Sequence, residues 1–426
     1  MPILALQHYN SASMPSVPSP GPNRRAIALA VLVAALGYFV DIYDLILFSI
    51  VRVRSLTAIG VPPAQLLPRG VLLLNMQMTG MLIGGIAWGV LGDRRGRLSV
   101  LFGSIVMYSV ANLLNAYVVT VPQYAALRLV AGIGLAGELG AGITLVSEIM
   151  PRESRGYATT LVAAVGICGA VVAVLVGDWF DWRTAYIVGG LMGILLLLLR
   201  IGVHESGMFQ QIKTLSHARG RFLQLFATRE RASRYLACIL IGVPIWYVVG
   251  ILVTFSPEFG KAMGMAPPPN AGRAVMFCYM GLALGDLASG WMSQWIRSRK
   301  NVLRLFIGMT ALGVVIYFAP WPRTLWAFYA LCFYLGFATG YWAVFVTIAS
   351  EHFGTNLRAT ATTTVPNFVR GAVVPLTSTF QALTPIVGLT TSGILVGAGT
   401  LVIAIVAVSF LHETYGRDLD FLETGS

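Results

Sequence analysis

Charged side chains are scarce in this chain, and the few inside long apolar runs are the ones able to do chemistry. Asp41 and Asp44 stand three residues apart in the first run, so on a helix they share a face with Gly37 and Phe48. Arg128 and Glu138 occupy the fourth run, Asp286 the eighth and Arg370 the eleventh. A charge at the middle of a membrane helix costs roughly 2.5–3.5 kcal/mol on insertion scales, so each needs a partner or a task. An arginine beside a buried carboxylate favours its charged form, and withdrawing the arginine favours proton uptake. Counted along their helices, Asp44 and Arg128 both lie roughly 10 Å below one surface, with Glu138 deeper. The expectation is that Asp44, together with Asp41, pairs with Arg128 in one conformation and releases it in another. Asp41, Asp44, Arg128 and Glu138 are thus the proton-coupling candidates, against the plainer reading of a static charge network.

A second set suits a ligand. Arg370 follows Val365-Pro366-Asn367-Phe368-Val369. A proline there frees backbone carbonyls, and a buried guanidinium suits a carboxylate or phosphate. Trp246 and Tyr247 follow Pro244, and Tyr341 and Trp342 follow Gly340. With Tyr43, Asp286, Asn367 and Arg370, these aromatics form the candidate substrate-binding set, stacking on the apolar part of a small molecule. The alternative for the aromatics is packing or interfacial anchoring.

The elements that must hold these groups are membrane helices. Of 426 residues, 57% are hydrophobic and 11% charged, with a mean hydropathy of +0.77. A soluble domain carries roughly 25% charged residues. Twelve apolar runs are predicted to span a bilayer: 26–51, 69–91, 98–119, 122–146, 156–177, 184–202, 235–256, 272–296, 302–320, 324–349, 358–382 and 391–411. Residues 1–25 read as a disordered N-terminal segment without the features of a secretory signal. Residues 26–202 form one six-helix unit, 203–234 a basic linker, 235–412 a second six-helix unit and 413–426 a tail. With the N-terminus taken as cytoplasmic, twenty of the 29 Lys and Arg residues fall on the inner side and seven on the outer. Both termini are therefore expected in the cytoplasm. The net charge of +12 belongs to these loops and not to a nucleic-acid surface. Three arginines in the first outer loop (Arg52, Arg54, Arg69) run against the trend and read as ordinary solvated residues.

The two halves repeat. Ser147-Glu148, Arg155 and Ala158-Thr159-Thr160 recur 203 residues later as Ser350-Glu351, Arg358 and Ala361-Thr362-Thr363. The turn Gly89-Val-Leu-Gly-Asp93-Arg94-Arg95-Gly96-Arg97 has a degenerate copy from Gly290, with Gln294 where Asp93 stands. A duplicated six-helix unit with polar groups at the interface between halves is one way to build a carrier.

The twelve spans, the charged turn after span two, its copy after span eight and the long central linker resemble the major facilitator superfamily. Arg128-Leu-Val-Ala-Gly132-Ile-Gly134-Leu-Ala-Gly137-Glu138, then Ser147-Glu148, is similar to span four of its proton-coupled metabolite and phosphate symporters. Asp41-Ile-Tyr43-Asp44 is similar to their first span. Glu205-Ser206-Gly207-Met208 departs from the sugar-porter relatives in lacking a proline, and Gln294 departs in the second turn. The resemblance implies a cavity lined by spans one, four, seven and ten.

The turns carry the gating candidates. Gly89 permits close helix approach, and Asp93 faces a helix N-terminus. Arg94 and Arg97 are expected to hold carboxylates such as Glu148, near Arg155, and Glu351 with Arg358 to repeat the pattern, locking one side while the other is open, with simple loop anchoring as the alternative.

The expected function is secondary active transport of a small polar, anionic metabolite by alternating access with proton symport. Sugar or phosphate symport, Na+ coupling, an uncoupled facilitator and a non-transporting sensor are the alternatives. No HExxH, paired-histidine, Gly-x-Ser-x-Gly or GxxxxGK[ST] pattern occurs, so neither an enzyme nor an ATP-driven pump is expected. No cofactor or metal is anticipated, and the four cysteines read as packing residues. The partners are the substrate, protons and the lipid bilayer, without nucleic acid. The chain is expected to act as a monomer in a bacterial inner membrane.

Overall fold

The computed structural model describes residues 24–95, 97–138, 155–205, 222–320, 324–416 and 423. Helices Arg24–Ala58, Leu66–Arg95, Arg97–Asn115, Val121–Leu135, Arg155–Trp179 and Trp182–Glu205 supply spans one to six. Span seven is segmented into Arg229–Leu240, Val243–Tyr247 and a π-helical turn Val248–Val253, with the short helix Ser256–Ala262 after it. Ala271–Trp295 and Arg299–Phe318 are spans eight and nine. Span ten breaks into Leu325–Thr339 and Trp342–Glu351, and span eleven into Thr355–Gly371 and Val373–Val387. Leu389–Phe410 is span twelve.

Local chemistry sets the helix starts. Oxygens of Thr120, Thr228, Asn270, Ser298 and Thr324 each accept the backbone N–H three residues on, satisfying one orphan donor of the first turn. Eight described helices are long and apolar enough to cross a bilayer, and three shorter apolar ones accompany them. Span eleven is the polar exception, with its threonine row and Arg358 and Arg370. The outer walls expose leucines such as Leu195 and Leu198, at 68% and 59%. In water such walls would be a liability, whereas against lipid they are the solvent-matched surface. The protein is an all-α polytopic membrane protein of twelve helices in two pseudo-symmetric six-helix bundles.

The duplication is visible in how helices touch. A side chain added at Gly80 would overlap the Leu129 carbonyl, and one at Gly132 the Gln77 carbonyl, so spans two and four meet backbone to backbone. Gly281 lies equally tight on Phe333, and Gly336 on Cys278, between spans eight and ten. Small residues at the crossing provide the close packing on which membrane helices rely in place of a hydrophobic drive.

One boundary differs from the sequence reading in a way that matters. Span one continues to Ala58. Arg52 is fully buried on it and is not a solvated loop residue. Its guanidinium binds Glu258 at 2.7 Å, donates to the Thr254 carbonyl at 3.3 Å and stacks 4.6 Å from the Phe255 ring. Arg54 donates to the Gly177 carbonyl and to Asp178. The first two of those three arginines are thus neutralised within the fold. The molecule has two ends: the linker face, where the 203–234 segment leaves span six and enters span seven, and the opposite face, which carries Arg52 and Glu258.

Candidate functional site

At the seam between bundles, Arg370 Nη2 lies 3.5 Å from Asp41 Oδ2. Both side chains are almost wholly buried. The guanidinium also sits 5.7 Å from the Trp342 ring centroid. Among the described residues, Arg370 Nε and Nη1, Asp41 Oδ1 and the indole nitrogens of Trp342 and Trp246 have no hydrogen-bond partner. Tyr38 and Tyr279, absent from the sequence-based set, stand close enough to Asp41 and Arg370 to feel both charges. Their signal was weak, because a tyrosine in an apolar helix looks like core. Asn367 donates to the Ala136 carbonyl across the seam at 3.1 Å, so its amide ties the bundles together.

Two helix breaks deliver this geometry. Pro366 lies within the first segment of span eleven, which ends at Gly371 with Leu82 pressed against it. Span ten stops at Gly340, wedged on Gly285, and restarts at Trp342. Asp286 accepts the backbone N–H of Ala343 at 3.2 Å, capping the restarted helix. Asp286 therefore has a structural occupation, where the sequence reading put a substrate contact.

The proton-coupling candidates divide into separate pairs. Arg128 is fully buried, donates to Gln77 Oε1, and lies 5.1 Å from the Phe48 ring and 6.0 Å from the Tyr186 ring. Neither oxygen of Asp44 has a hydrogen-bond partner among the described residues, so this conformation lacks the anticipated Asp44–Arg128 bond. Glu138 is held by Arg200, whose Nη1 donates to Oε2 at 3.0 Å and whose Nη2 meets Oε1. Gly37 makes room for that pair, since an added Cβ would collide with both groups. Arg200 closes the apolar run of span six and reads from sequence as a loop cation, which is why it was missed.

The three tyrosines of the anticipated substrate set are turned into their own bundles. Tyr43 donates to the Ala185 carbonyl at 2.8 Å, Tyr247 to Gly393 at 2.7 Å and Tyr341 to Ile241 at 3.1 Å. Adjacent helical residues point about 100° apart. If Trp246 faces the seam, Tyr247 beside it on the same helix does not, while Tyr341 lies in the break before Trp342 with its hydroxyl on Ile241.

At the linker face, Glu351 binds Arg299 at 3.3 Å and accepts from Thr414 at 2.6 Å. Arg358 donates to the carbonyls of Ser350 and Phe353, at 3.0 and 3.3 Å. An arginine of the second turn therefore bonds Glu351, whereas the sequence reading put Arg358 there. Among the described residues, an added Cβ at Gly89 would meet nothing within 4 Å. Glu148 and the side chains of Asp93, Arg94, Arg97 and Arg155 lie outside the described residues. At the opposite face, the Arg52–Glu258 pair, Ser49–Thr254 at 3.1 Å and Asn75–Thr377 at 2.5 Å join the bundles.

Two helical bundles meeting at a buried ion pair within the membrane define a carrier. The Major Facilitator Superfamily model matches residues 27–376, and the chain belongs to that family. It is a multi-pass transport protein and not an enzyme. It is similar to the 3-(3-hydroxy-phenyl)propionate transporter of Escherichia coli, 31% identical over 66% of this chain and 69% of that one. It is also similar to the niacin transporter of Acinetobacter baylyi, 25% identical over 77% and 80%. Its fold superposes on a proton:xylose symporter bound to 6-bromo-6-deoxy-D-glucose with a TM-score of 0.69, at 17% identity, over 93% of this chain and 98% of that one.

Proposed function

We propose that the protein is a proton-coupled symporter of a small aromatic monocarboxylate, working by alternating access in a bacterial inner membrane with both termini in the cytoplasm. The observation that carries this reading is the Asp41–Arg370 pair beneath Trp342. Arg370 keeps Nε and Nη1 unpaired, and either fork that a carboxylate matches also needs Nη2, the nitrogen now on Asp41. Trp342, against the Arg370 guanidinium, offers flat apolar surface and an unpaired N–H. The names of the two relatives denote aromatic acids, which supports the same ligand class.

Coupling follows from competition for one guanidinium. A deprotonated Asp41 occupies Arg370. Protonating Asp41 frees Arg370 for the substrate carboxylate, so proton and substrate bind with positive coupling. The Arg52–Glu258 clamp on the opposite face supports reading this conformation as the one open toward the cytoplasm. Glu138–Arg200 remains a buried pair on the N-terminal side of the seam, where a shift of span one against span four would expose it.

The test is uptake of radiolabelled benzoate-type acids, phosphate and sugars into proteoliposomes with and without an inward proton gradient. Wild type is expected to accumulate an aromatic acid only with the gradient. Asp41→Asn, with Arg370 permanently free, is expected to keep counterflow exchange, lose gradient-driven accumulation and bind substrate independently of pH. Uptake that follows a Na+ gradient instead, or an Asp41→Asn protein that still accumulates, would overturn the scheme.

A further inference from the structure

Inside the N-terminal bundle, away from the seam, polar atoms gather without partners. Asp44, Tyr108, Ser109, Asn112, Asn115 and Arg128 are all within 1% of complete burial. Both carboxylate oxygens of Asp44, both amide atoms of Asn112 and Asn115, the hydroxyls of Tyr108 and Ser109, and Nε and Nη1 of Arg128 lack any hydrogen bond among the described residues. Tyr108, Asn112 and Asn115 follow a helical repeat along one face of span three. Glycines of span six bring the walls together. An added Cβ at Gly189 would overlap Asp44 Oδ1, one at Gly190 would lie 2.9 Å from the Ser109 carbonyl, and one at Gly193 would overlap Ser109 Oγ. Asn112 faces Asp44 closely enough for its side chain to act on the carboxylate.

Native interiors do not leave so many donors and acceptors dry, because the summed desolvation cost would exceed the stability of an ordinary domain. Donors and acceptors are interleaved, which suits water. A metal ion would want acceptors alone, and Arg128 would repel it; no metal-holding group of His, Cys, Asp or Glu occurs among the described residues. We propose that these six side chains enclose a pool of ordered water inside the N-terminal bundle, with Asn112 positioning it against Asp44. Buried water of this kind makes about three hydrogen bonds per molecule to groups otherwise unsatisfied. The charged and titratable groups around Asp44 are Asp41 and Tyr43 on its own helix, Arg128 on span four, Tyr186 on span six and Tyr108 on span three. Water between them makes Asp44 a second proton carrier beside Asp41, reached by a route that does not pass through the seam. That second role rests on the proton-symport reading; the pool does not.

Hydroxyl-radical footprinting by synchrotron X-rays, read by mass spectrometry on the full chain in nanodiscs, tests the pool directly. Radicals generated from internal water label adjacent side chains however deeply buried. Tyr108 is expected to label at a rate comparable with the exposed Tyr117, while Tyr247 and Tyr341, buried on backbone carbonyls, stay unlabelled. Asn112→Leu is expected to cut Tyr108 labelling several-fold, and Asn112→Ser, which retains a hydrogen-bonding group, to preserve it. In proteoliposomes, Asn112→Leu is expected to move the pH midpoint of uptake by about one unit, tenfold in proton affinity, with substrate KM changed less than twofold. Tyr108 labelling no faster than Tyr341 overturns the pool whatever uptake does. Uptake indifferent to any proton gradient removes the symport reading and the role of Asn112, and leaves the footprint to decide the pool.

Discussion

Gly37 is where one methyl group would reach a buried ion pair. Its missing side chain is the space occupied by the Glu138–Arg200 pair. Gly37→Ala must displace one partner, and separating a buried pair costs about 3–5 kcal/mol. The expected outcome is a clear fall in thermal unfolding temperature in detergent; an unchanged transition would mean that the pair has room to move. Arg370→Lys keeps the charge but loses the planar fork, so substrate affinity in scintillation-proximity binding should drop about tenfold or more, about 1.4 kcal/mol. A lysine variant that binds as tightly as wild type would remove bidentate recognition from the scheme. At this scale the sequence announced which residues are unusual and hid whom they meet. Asp41, Arg128, Glu138 and Arg370 stood out because charge is rare in apolar runs. Their partners depend on helix rotation, and a helix apolar on every side, such as span ten, carries no periodicity from which rotation can be read. The same blindness grouped Tyr341 with Trp342.

Breaks in the helices, more than their lengths, shape the site. Gly340 and Pro366 are audible in sequence as helix punctuation, as are the capping residues Thr120, Thr228 and Ser298. The continuation of span one to Ala58 is not, because an arginine after an apolar run looks like a surface residue until its carboxylate partner on the short helix after span seven is known. The break in span ten gives Asp286 its work as a cap. Asp286→Ala should cost about 0.5–2 kcal/mol of stability, and Asp286→Asn, a comparable cap, should be near neutral in both stability and uptake. Loss of proton-driven uptake in Asp286→Asn with full stability would return this acid to the transport chemistry. The loop after span twelve supplies a cap in trans. Burial alone would raise the Glu413 carboxyl, but bonds from Ser298 Oγ and the N–H groups of Arg299, Tyr415 and Lys300 outweigh it and hold the group at about 2. Because the folded value lies below the ordinary glutamate value, the contribution is complete above that ordinary value and is lost as pH falls through about 2. Hydrogen exchange at the Arg299 and Lys300 amides, corrected for intrinsic rate, should stay protected from neutral pH down to about pH 4. Glu413→Gln should exchange faster throughout, and equal protection would mean that the carboxylate is not the anchor.

The whole molecule is clamped at one end. Arg52, Ser49 and Asn75 reach across to Glu258, Thr254 and Thr377, all toward the opposite face. Such a conformation must be undone in each cycle if access alternates. Ser49→Cys with Thr254→Cys, in a chain whose four native cysteines are replaced, should cross-link under mild oxidant and lose uptake, with recovery on reduction. Full uptake from the cross-linked protein would show that this face need not part. The duplicated architecture was legible from two motifs at nearly one spacing, and the paired glycines at the two crossings realise it. The conformational state was not legible, since one sequence encodes every state of the cycle.

The second charged turn lost its acid to Gln294, and the chain's end now reaches back to the helix that follows that turn. Glu413 sits on the first amides of that helix, Thr414 on Glu351, and Glu423 between Arg231 and Arg234. Glu413, Thr414 and Glu423 are thus tied into the C-terminal bundle. Trimming back to His412 would leave the first amides of the ninth span uncapped and take the Glu423 carboxylate from Arg231 and Arg234 in one cut, turning a routine shortening into a loss of fold.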